Sequence, residues 1–524
     1  MSNRVRAVFA ALHAFGWPGH HPRPTASAEE RCLALKESLC LENTTILNVT
    51  YISGPTTVDT PGSCVSTTPV SEALCRVYFV TNTTSTSAVH AEAWLPDVWY
   101  GRFLGLGNAQ VGGCIDYADL DYGASLSFAT VGTDNGHDGN TGLPFLNHPE
   151  VINDFAWRAV HTEVVIGKQL VEAYYGRPAA KSYYQGCSTG GRQGIREALQ
   201  FPDDFDGILA GSPAVDWNYL LGWAGLLSVY AGAPTGTSSP SFLTTDDWAL
   251  VSAEVLAQCD NLGVGFLLEP NNCNFDATPL LCPNATATNC LTADQVTAVT
   301  KVFSPILDTN GTLLFPQYDV GAEADSLAPL TLGGSFFPFT SAWEQYAIMN
   351  VSVSPNYTNY SLANVKQMQQ INAGNIETWS GDLSAFKARG GKLLTFHGRR
   401  DPLIASASSK RLYNLITDTL KVSTLDDFYR LFLVPAMGHC SHGIADAPTT
   451  FGQGTFAGSN LVNDSDHNIL LALVDWVEKG VAPQTIIGTS LTNLTLQRPH
   501  CRYPAQISVY DETTGVWSCE DGQY

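Results

Sequence analysis

The sequence has few basic residues and no long apolar run. Lys and Arg account for 27 of its 524 residues, against 49 Asp and Glu, which gives a formal net charge of −22. This charge repels nucleic acids and anionic membrane surfaces, so we exclude polyanionic partners. A membrane-spanning helix needs about eighteen or more consecutive apolar residues. Because no such run is present, we expect a folded protein that does not enter a membrane.

The sequence also lacks the paired Cys-x-x-Cys spacing of structural zinc sites, although it contains 13 cysteines. So many cysteines without metal spacing favour disulfides and an oxidising compartment. Asn-x-Ser/Thr sequons, the acceptor sites of N-glycosylation, indicate the same compartment. They occur at Asn43, Asn48, Asn82, Asn284, Asn310, Asn350, Asn356, Asn359, Asn463 and Asn493. We therefore expect a secreted, extracellular glycoprotein.

The N-terminal segment resembles a signal peptide. Arg4 and Arg6 make a basic start, residues 7–17 are mostly apolar, and residues 26–28 are small enough for cleavage. We predict a signal peptide over residues 1–28. A histidine within the apolar run and a polar stretch after it leave an incorrect start codon or an altered first exon as the competing interpretation.

Several short runs of β-branched and aromatic residues predict buried strands, and helical patterns lie between many of them. The predicted strands cover residues 102–106, 128–131, 181–185, 207–210, 392–396 and 430–434, and the predicted helices cover 154–175, 190–200 and 466–479. Strands that alternate with helices predict a largely parallel sheet with helices on both faces. The fold class is therefore α/β.

The alternation disappears between about residues 217 and 384, where Pro, Asn, Thr and aromatic residues accumulate. A chain of this length exceeds the size at which one hydrophobic core usually stops growing. We predict a catalytic domain formed by residues 29–216 and 385–524, with an inserted lid domain over 217–384. An insertion at the carboxyl edge of the sheet would lie over the active site.

The stretch Gly186-Cys-Ser-Thr-Gly190 matches the G-x-S-x-G nucleophile elbow of α/β-hydrolases. In this motif, small flanking residues let a strand turn sharply into a helix and expose the serine hydroxyl. The motif alone is weak evidence, but here a predicted strand precedes it and a predicted helix follows it. We predict that Ser188 is the nucleophile.

A serine hydroxyl needs a histidine to accept its proton and a carboxylate to orient that histidine. In α/β-hydrolases these residues follow the serine in the order acid, then histidine. Asp401 follows the predicted strand over 392–396, and His439 follows the predicted strand over 430–434. The sequence therefore predicts a triad of Ser188, Asp401 and His439.

Alternatives remain for the acid and the base. Asp401 precedes Pro402, so a turn or helix-capping role competes with the triad role. His397 and His442 compete with His439, which could itself be a loop histidine without a chemical role. His397 precedes the acid, against the expected order, and His442 lies three residues beyond the better-placed histidine.

Two cysteines flank the predicted catalytic residues. Cys187 directly precedes Ser188, and Cys440 directly follows His439. A disulfide between them would fix the distance between the serine and the histidine, which proton transfer requires. In the chain-entropy model, closing so long a loop stabilises the fold by about 5 kcal/mol.

These motifs resemble those of the tannase and feruloyl esterase family, whose CS-D-HC signature occurs here as Cys187-Ser188, Asp401 and His439-Cys440. Further matching segments lie at residues 92–96, 107–115, 129–137, 184–192, 397–404 and 435–440. The resemblance implies an α/β-hydrolase fold that hydrolyses esters of aromatic acids, such as ferulate, other hydroxycinnamates or gallate, through an acyl-enzyme. It implies no cofactor for catalysis.

The resemblance also implies a substrate on plant cell-wall polysaccharide or tannin. We favour feruloyl esterase activity, with tannase activity as the first alternative. A second alternative is a secreted binding glycoprotein that keeps the fold but has lost turnover. The sequence gives no indication of oligomeric state.

The oxyanion hole departs from the family pattern, which has glycines at the positions of Ala109 and Gln110. The backbone amide of Thr189, next to the nucleophile, is the expected first donor. We predict the backbone amide of Gln110 as the second donor.

The predicted lid departs from the family pattern as well. Family members hold calcium with a run of the type C-D-x-x-D-G-V-x-D-G, whereas this chain has a shorter segment that begins Cys259-Asp260 and ends at Glu269. Only Asp260 matches a carboxylate of the run. We predict a weakened or absent calcium site.

The resemblance implies six disulfides and leaves Cys40 as a free thiol. The implied pairs are Cys32 with Cys75, Cys64 with Cys114, Cys187 with Cys440, Cys259 with Cys273, Cys282 with Cys290, and Cys501 with Cys519.

Overall fold

The computed structural model describes residues 26–284, 286–441, 443–454, 462–511 and 513–522. The predicted signal peptide therefore lies almost wholly outside the described residues. The first described helix begins at Ala28, the last residue of the predicted peptide, where the Ser27 hydroxyl and the Glu30 carboxylate cap each other's backbone amides.

The strands in chain order are β1 (Thr44–Ile52), β2 (Thr56–Asp59), β3 (Thr67–Val70), β4 (Leu74–Asn82), β5 (Ala88–Pro96), β6 (Arg102–Leu106), β7 (Phe128–Thr133), β8 (Lys181–Cys187), β9 (Gly207–Gly211), β10 (Ile306–Leu307), β11 (Leu313–Phe315), β12 (Lys392–Gly398), β13 (Tyr429–Val434), β14 (Thr485–Thr489), β15 (Gln497–Tyr503), β16 (Gln506–Asp511) and β17 (Val516–Asp521). The α-helices are α1 (Ala28–Ser38), α2 (Tyr117–Ser125), α3 (Pro149–Asn153), α4 (Ala159–Tyr175), α5 (Thr189–Gln200), α6 (Trp217–Tyr230), α7 (Thr245–Cys259), α8 (Ala293–Val302), α9 (Pro329–Leu332), α10 (Pro338–Ala342), α11 (Leu362–Ile371), α12 (Ser384–Ala388), α13 (Ala407–Leu420) and α14 (Ile469–Lys479).

The central sheet has eleven strands in the order β1-β4-β5-β7-β6-β8-β9-β12-β13-β15-β14. Its middle, from β7 to β13, is parallel. All six strands predicted from the sequence lie in this part, and each begins within one residue of the predicted start. Helices α4, α5 and α13 pack on one face, and α2 and α14 pack on the other. This arrangement is the α/β-hydrolase fold.

The flanks of the sheet are antiparallel, so the sheet is more mixed than predicted. Strands β1, β4 and β5 form one flank, and β15 and β14 form the other. Buried and partly exposed residues alternate along most of β4. Such alternation is typical of an antiparallel strand with one face against the core.

The segment between β9 and β12 contains helices α6 to α12, and its apolar core is continuous with residues before β8 and after β12. Trp217 and Trp343 of this segment contact Phe155, which precedes α4, with ring centroids 5.7 and 6.0 Å away. Aromatic rings at such distances contribute packing energy beyond the area that they bury. An aromatic cluster thus packs this segment against the helices that cover the sheet.

The structure contains six disulfides, and they are the pairs that the resemblance implies. Cys40 is a free, exposed thiol. Among the described residues, no helix is both long enough and apolar enough to cross a bilayer.

Candidate active site

Ser188 lies in the sharp turn between β8 and α5 with φ 64° and ψ −118°. A non-glycine residue rarely adopts this backbone conformation. Its conformational energy is unfavourable, and such residues cluster at functional sites. The flanking glycines are required because the backbone packs closely around the turn. A Cβ atom at Gly186 would lie 2.9 Å from the carbonyl carbon of Gly190, and one at Gly190 would lie 3.0 Å from the carbonyl oxygen of Asn108.

Asp401 and His439 meet at the carboxyl edge of the sheet, in the loops that follow β12 and β13. The Nδ1–H of His439 donates to Oδ2 of Asp401 at 2.8 Å. Oδ1 of Asp401 accepts from the backbone amides of Leu403 and Ile404 at 2.9 and 3.0 Å. The acid is fully buried, and these donors orient it toward the histidine.

The environment of Asp401 keeps its carboxylate ionised. Burial alone would raise the pKa of Asp401, but the neighbouring rings of His439 and His397 hold that pKa well below its usual range. The carboxylate therefore stays charged throughout the pH range in which a histidine can act as a base.

Ser188 and His439 line the same cavity, which has a volume of about 370 Å³. The Cys187–Cys440 disulfide forms part of its wall and links the two loops, with the Cα atoms 5.9 Å apart. The inserted segment supplies much of the apolar lining, from Trp217, Leu220, Leu221, Leu327, Leu330, Phe337 and Phe339. A cavity of this character suits a flat aromatic group.

Thr189 and Gln110, the predicted oxyanion residues, also line the cavity. The Thr189 hydroxyl donates to the backbone carbonyl of Gln110 at 2.5 Å and so ties the elbow to the loop after β6. Gln110 has φ 61°, in the left-handed region that favours the glycine of the family pattern. Gln193 supports the same loop because its Oε1 accepts from the Asn108 amide at 2.8 Å.

The rival histidines differ in position. His397 is fully buried at the end of β12, with Nε2 3.2 Å from Oδ2 of Asp401. His439, in contrast, lines the cavity. His442 lies outside the described residues. The sequence presents His397 only as a competing base. Its contact with Asp401 becomes visible in the structure, although the short spacing of the two residues in the segment His397-Gly-Arg-Arg-Asp401 is a local signal for it.

The segment from Cys259 to Glu269 does not have the ligands that calcium needs. The Asp260 carboxylate accepts from the backbone amides of Val264 and Gly265, at 3.2 and 2.7 Å. Glu269, at the end of the segment, pairs with Arg399 and Lys410. Both carboxylates are thus engaged by the protein's own donors, so the residues present do not fit a calcium ion.

Side chains that could share a metal ion occur elsewhere in the described part of the chain, at His161, Glu197 and Asp204 on the catalytic domain. None of them lines the cavity.

A nucleophile elbow, an acid–histidine pair and an apolar cavity at the carboxyl edge of this sheet define a serine hydrolase of the α/β-hydrolase class. The family model "Tannase and feruloyl esterase" matches residues 75–521. The chain belongs to this family and is a carboxylic ester hydrolase.

Individual relatives agree with this assignment. The chain is 43% identical over 448 residues to "Probable feruloyl esterase B-2" of Aspergillus flavus, with 83% of this chain and 84% of the relative aligned. The crystal structure of feruloyl esterase B from Aspergillus oryzae is 37% identical and superposes with a TM-score of 0.89 over 94% of this chain and all of that one. A tannin acyl hydrolase from Aspergillus niger, 20% identical, shares the fold with a TM-score of 0.75 over 95% of each chain.

Proposed function

We propose that this protein is a secreted feruloyl esterase in which Ser188, His439 and Asp401 are the nucleophile, the base and the acid. The observation that carries the proposal is the contact of His439 Nδ1 with Asp401 Oδ2. The Cys187–Cys440 disulfide joins the loop of His439 to the turn of Ser188. Because Nδ1 donates to Asp401, Nε2 is the nitrogen that accepts the serine proton.

In the first half-reaction, the Ser188 oxygen bonds to the ester carbonyl carbon while His439 accepts the hydroxyl proton. The resulting oxyanion accepts hydrogen bonds from the backbone amides of Thr189 and Gln110. The bond to the alcohol oxygen then breaks, and His439 protonates the departing alcohol. In the second half, His439 takes a proton from water, the hydroxide attacks the acyl-enzyme, and the acid leaves as Ser188 regains its proton.

The substrate we propose is an ester of a hydroxycinnamic acid such as ferulate, carried on plant cell-wall polysaccharide. Support comes from the apolar, aromatic-lined cavity and from the names of the relatives, which are feruloyl esterases over most of the chain. A gallate ester is the second candidate, because a tannin acyl hydrolase shares the fold. We assign the cavity-lining residues from Trp217 to Phe339 to a lid domain over 217–384, inserted into a catalytic domain over 29–216 and 385–524.

Ser188→Ala tests the mechanism. We expect turnover of methyl ferulate by the purified variant to fall by a factor of about 10⁴ or more, which leaves only the residual rate that the oxyanion hole and the binding site provide. The variant should keep the melting temperature of the parent. Full activity in the variant would refute the assignment of the nucleophile. A parent protein that hydrolyses no aromatic or short-chain ester would favour the binding-glycoprotein alternative.

The two substrate candidates are separated by kcat/KM on methyl ferulate and methyl gallate, since discrimination between substrates lies in transition-state binding. We expect the larger kcat/KM on methyl ferulate. A preference for methyl gallate would instead assign the protein as a tannase.

We also propose secretion and N-glycosylation. The six disulfides indicate an oxidising compartment, and all ten sequon asparagines are exposed in the structure. Expression in a fungal host should give protein in the medium whose mass falls on treatment with an N-glycosidase. Unmodified protein retained in the cells would contradict this proposal.

A further inference from the structure

His397 lies directly behind the acid of the proposed triad. It is at the penultimate position of β12 and is fully buried. Its Nε2 atom is 3.2 Å from Oδ2 of Asp401, the same oxygen that accepts from His439. The proposed mechanism gives His397 no role, although a polar side chain rarely becomes fully buried without a specific interaction.

The neighbours of His397 define which ring nitrogen carries the proton. Nε2 lies 3.1 Å from the backbone carbonyl of Ile404 and also faces the Asp401 carboxylate, and both of these groups only accept. Nδ1 lies 2.7 Å from the Ser409 hydroxyl, which can donate. A proton on Nε2 can therefore be shared between the Ile404 carbonyl and Asp401, while Nδ1 accepts from the Ser409 hydroxyl.

We propose that His397 is a positioning residue for the esterase reaction, whose Nε2–H holds Oδ2 of Asp401 in the orientation that His439 requires. This inference rests on the triad roles proposed above. Oδ2 is then shared between two imidazole donors, while Oδ1 is held by the amides of Leu403 and Ile404. With both oxygens fixed, the carboxylate cannot rotate away from His439 during proton transfer.

The donor from His397 also stabilises the charge on the acid. A buried carboxylate that loses a donor holds a proton more tightly, so its pKa rises. In a variant without this donor, the negative charge of the Asp401 carboxylate would be less well stabilised and would attract a proton at the site more strongly. The acid limb of the pH profile would move upward.

Other ionisable groups face this site and remain the same in every variant below. Asp319, Asp325 and Tyr318 of the inserted segment interact electrostatically with Asp401, and Arg400 interacts with Asp325. Because they are unchanged, a difference between His397 variants reports on the donor itself.

The test compares His397→Gln with His397→Asn. Glutamine places its amide nitrogen near the position of Nε2 and can donate to Asp401, whereas asparagine reaches only as far as Nδ1. We expect His397→Gln to stay within about threefold of the parent, and His397→Asn to lose about ten- to a hundredfold in kcat with little change in KM, as expected for a hydrogen bond to a charged group. The acid limb of kcat/KM in His397→Asn should move up by about one pH unit.

Ser409→Ala provides a second, milder variant. It removes the hydroxyl that fixes the tautomer but leaves the imidazole in place, so kcat should fall by about two- to tenfold. Melting temperatures of all variants show whether they fold. If His397→Asn does not fold, the kcat and acid limb of Ser409→Ala decide the test, and parental values would overturn the inference.

The inference is overturned if folded His397→Asn keeps the parental kcat and pH profile, or if His397→Gln is impaired as strongly as His397→Asn. Labelling with a fluorophosphonate separates this failure from failure of the proposed function. If the label reacts with the parent and not with Ser188→Ala, the nucleophile stands and only the role of His397 falls. Equal labelling of Ser188→Ala would refute the triad itself.

Discussion

At the residue scale, the site depends on two backbone turns with positive φ angles and on a hydrogen bond that joins them. Ser188 and Gln110 both have positive φ angles, and the Thr189 hydroxyl joins the turns that contain them. Backbone amides can serve as oxyanion donors only if these turns keep their geometry. Gln110 is not a glycine although its φ is positive, so the hydrogen bond from the Thr189 hydroxyl supports its conformation.

We predict that Thr189→Val, which replaces the hydroxyl by a methyl group of similar size, lowers kcat about five- to tenfold, the effect of losing one hydrogen bond. Thr189→Ser keeps the hydroxyl and should retain most of the parental rate. Steady-state kinetics on a chromogenic ester measures both variants. Equal losses in the two would show that the methyl group of Thr189 matters and not its hydroxyl.

At the element scale, parallel strands bring their carboxyl ends to one edge of the sheet, and the loops there carry the site. Strands β8, β12 and β13 are followed by Ser188, Asp401 and His439. The Cys187–Cys440 disulfide joins the first and last of these loops across a sequence separation of 253 residues. The disulfide fixes the distance between the loops after β8 and β13. Strands β9 and β12 lie between these two strands in the sheet, so β8 and β13 are not hydrogen-bonded to each other.

We predict that the pair Cys187→Ser and Cys440→Ser lowers kcat/KM at least tenfold and destabilises the fold by up to about 5 kcal/mol. The pair Cys501→Ser and Cys519→Ser is the matched control, because it removes the disulfide near the C-terminal strands β15 and β17. The control should lower the melting temperature and leave kcat/KM unchanged. Denaturant unfolding and ester hydrolysis measure the two effects, and parental turnover without the first disulfide would exclude a positional role for it.

At the scale of the whole molecule, the pH dependence of the free energy of unfolding reflects two carboxyl groups, which are buried on the side of the sheet that carries α4 and α5. Burial raises the pKa of Glu163 and of Glu197 well above the usual range. The neighbouring carboxylates of Asp204 and Glu163 add to the effect of burial on the pKa of Glu197. Both groups are therefore protonated in the folded protein at a pH where the unfolded chain has released its protons.

This difference makes stability fall as pH rises, because the folded state binds more protons than the unfolded state above the ordinary glutamate pKa of about 4.3. We predict that Glu197→Gln, which keeps the shape and removes the titration, weakens the decline by up to about 1.4 kcal/mol per pH unit. Urea unfolding at pH 5 and pH 8 measures the slope. Exposed Glu37→Gln should keep the parental slope, and a parental slope in Glu197→Gln would contradict this account.

The sequence by itself determined the α/β class, the six parallel strands and the candidate triad. It did so because buried strands, the glycine-flanked elbow and the order serine, acid, histidine are local patterns. The antiparallel flanks of the sheet did not follow from the same patterns, because more buried and more exposed residues alternate along most of β1 and β4.

Only the tertiary structure decided which groups meet. The contact of His397 with Asp401 depends on how the chain turns after β12, and Glu269 of the inserted segment finds Arg399 only when that segment packs on the sheet domain. The lining of the cavity by Trp217, Phe337 and Phe339 likewise depends on that packing. Such contacts join residues far apart in the chain, and their geometry follows from the packing of whole elements, which no local pattern in the sequence records.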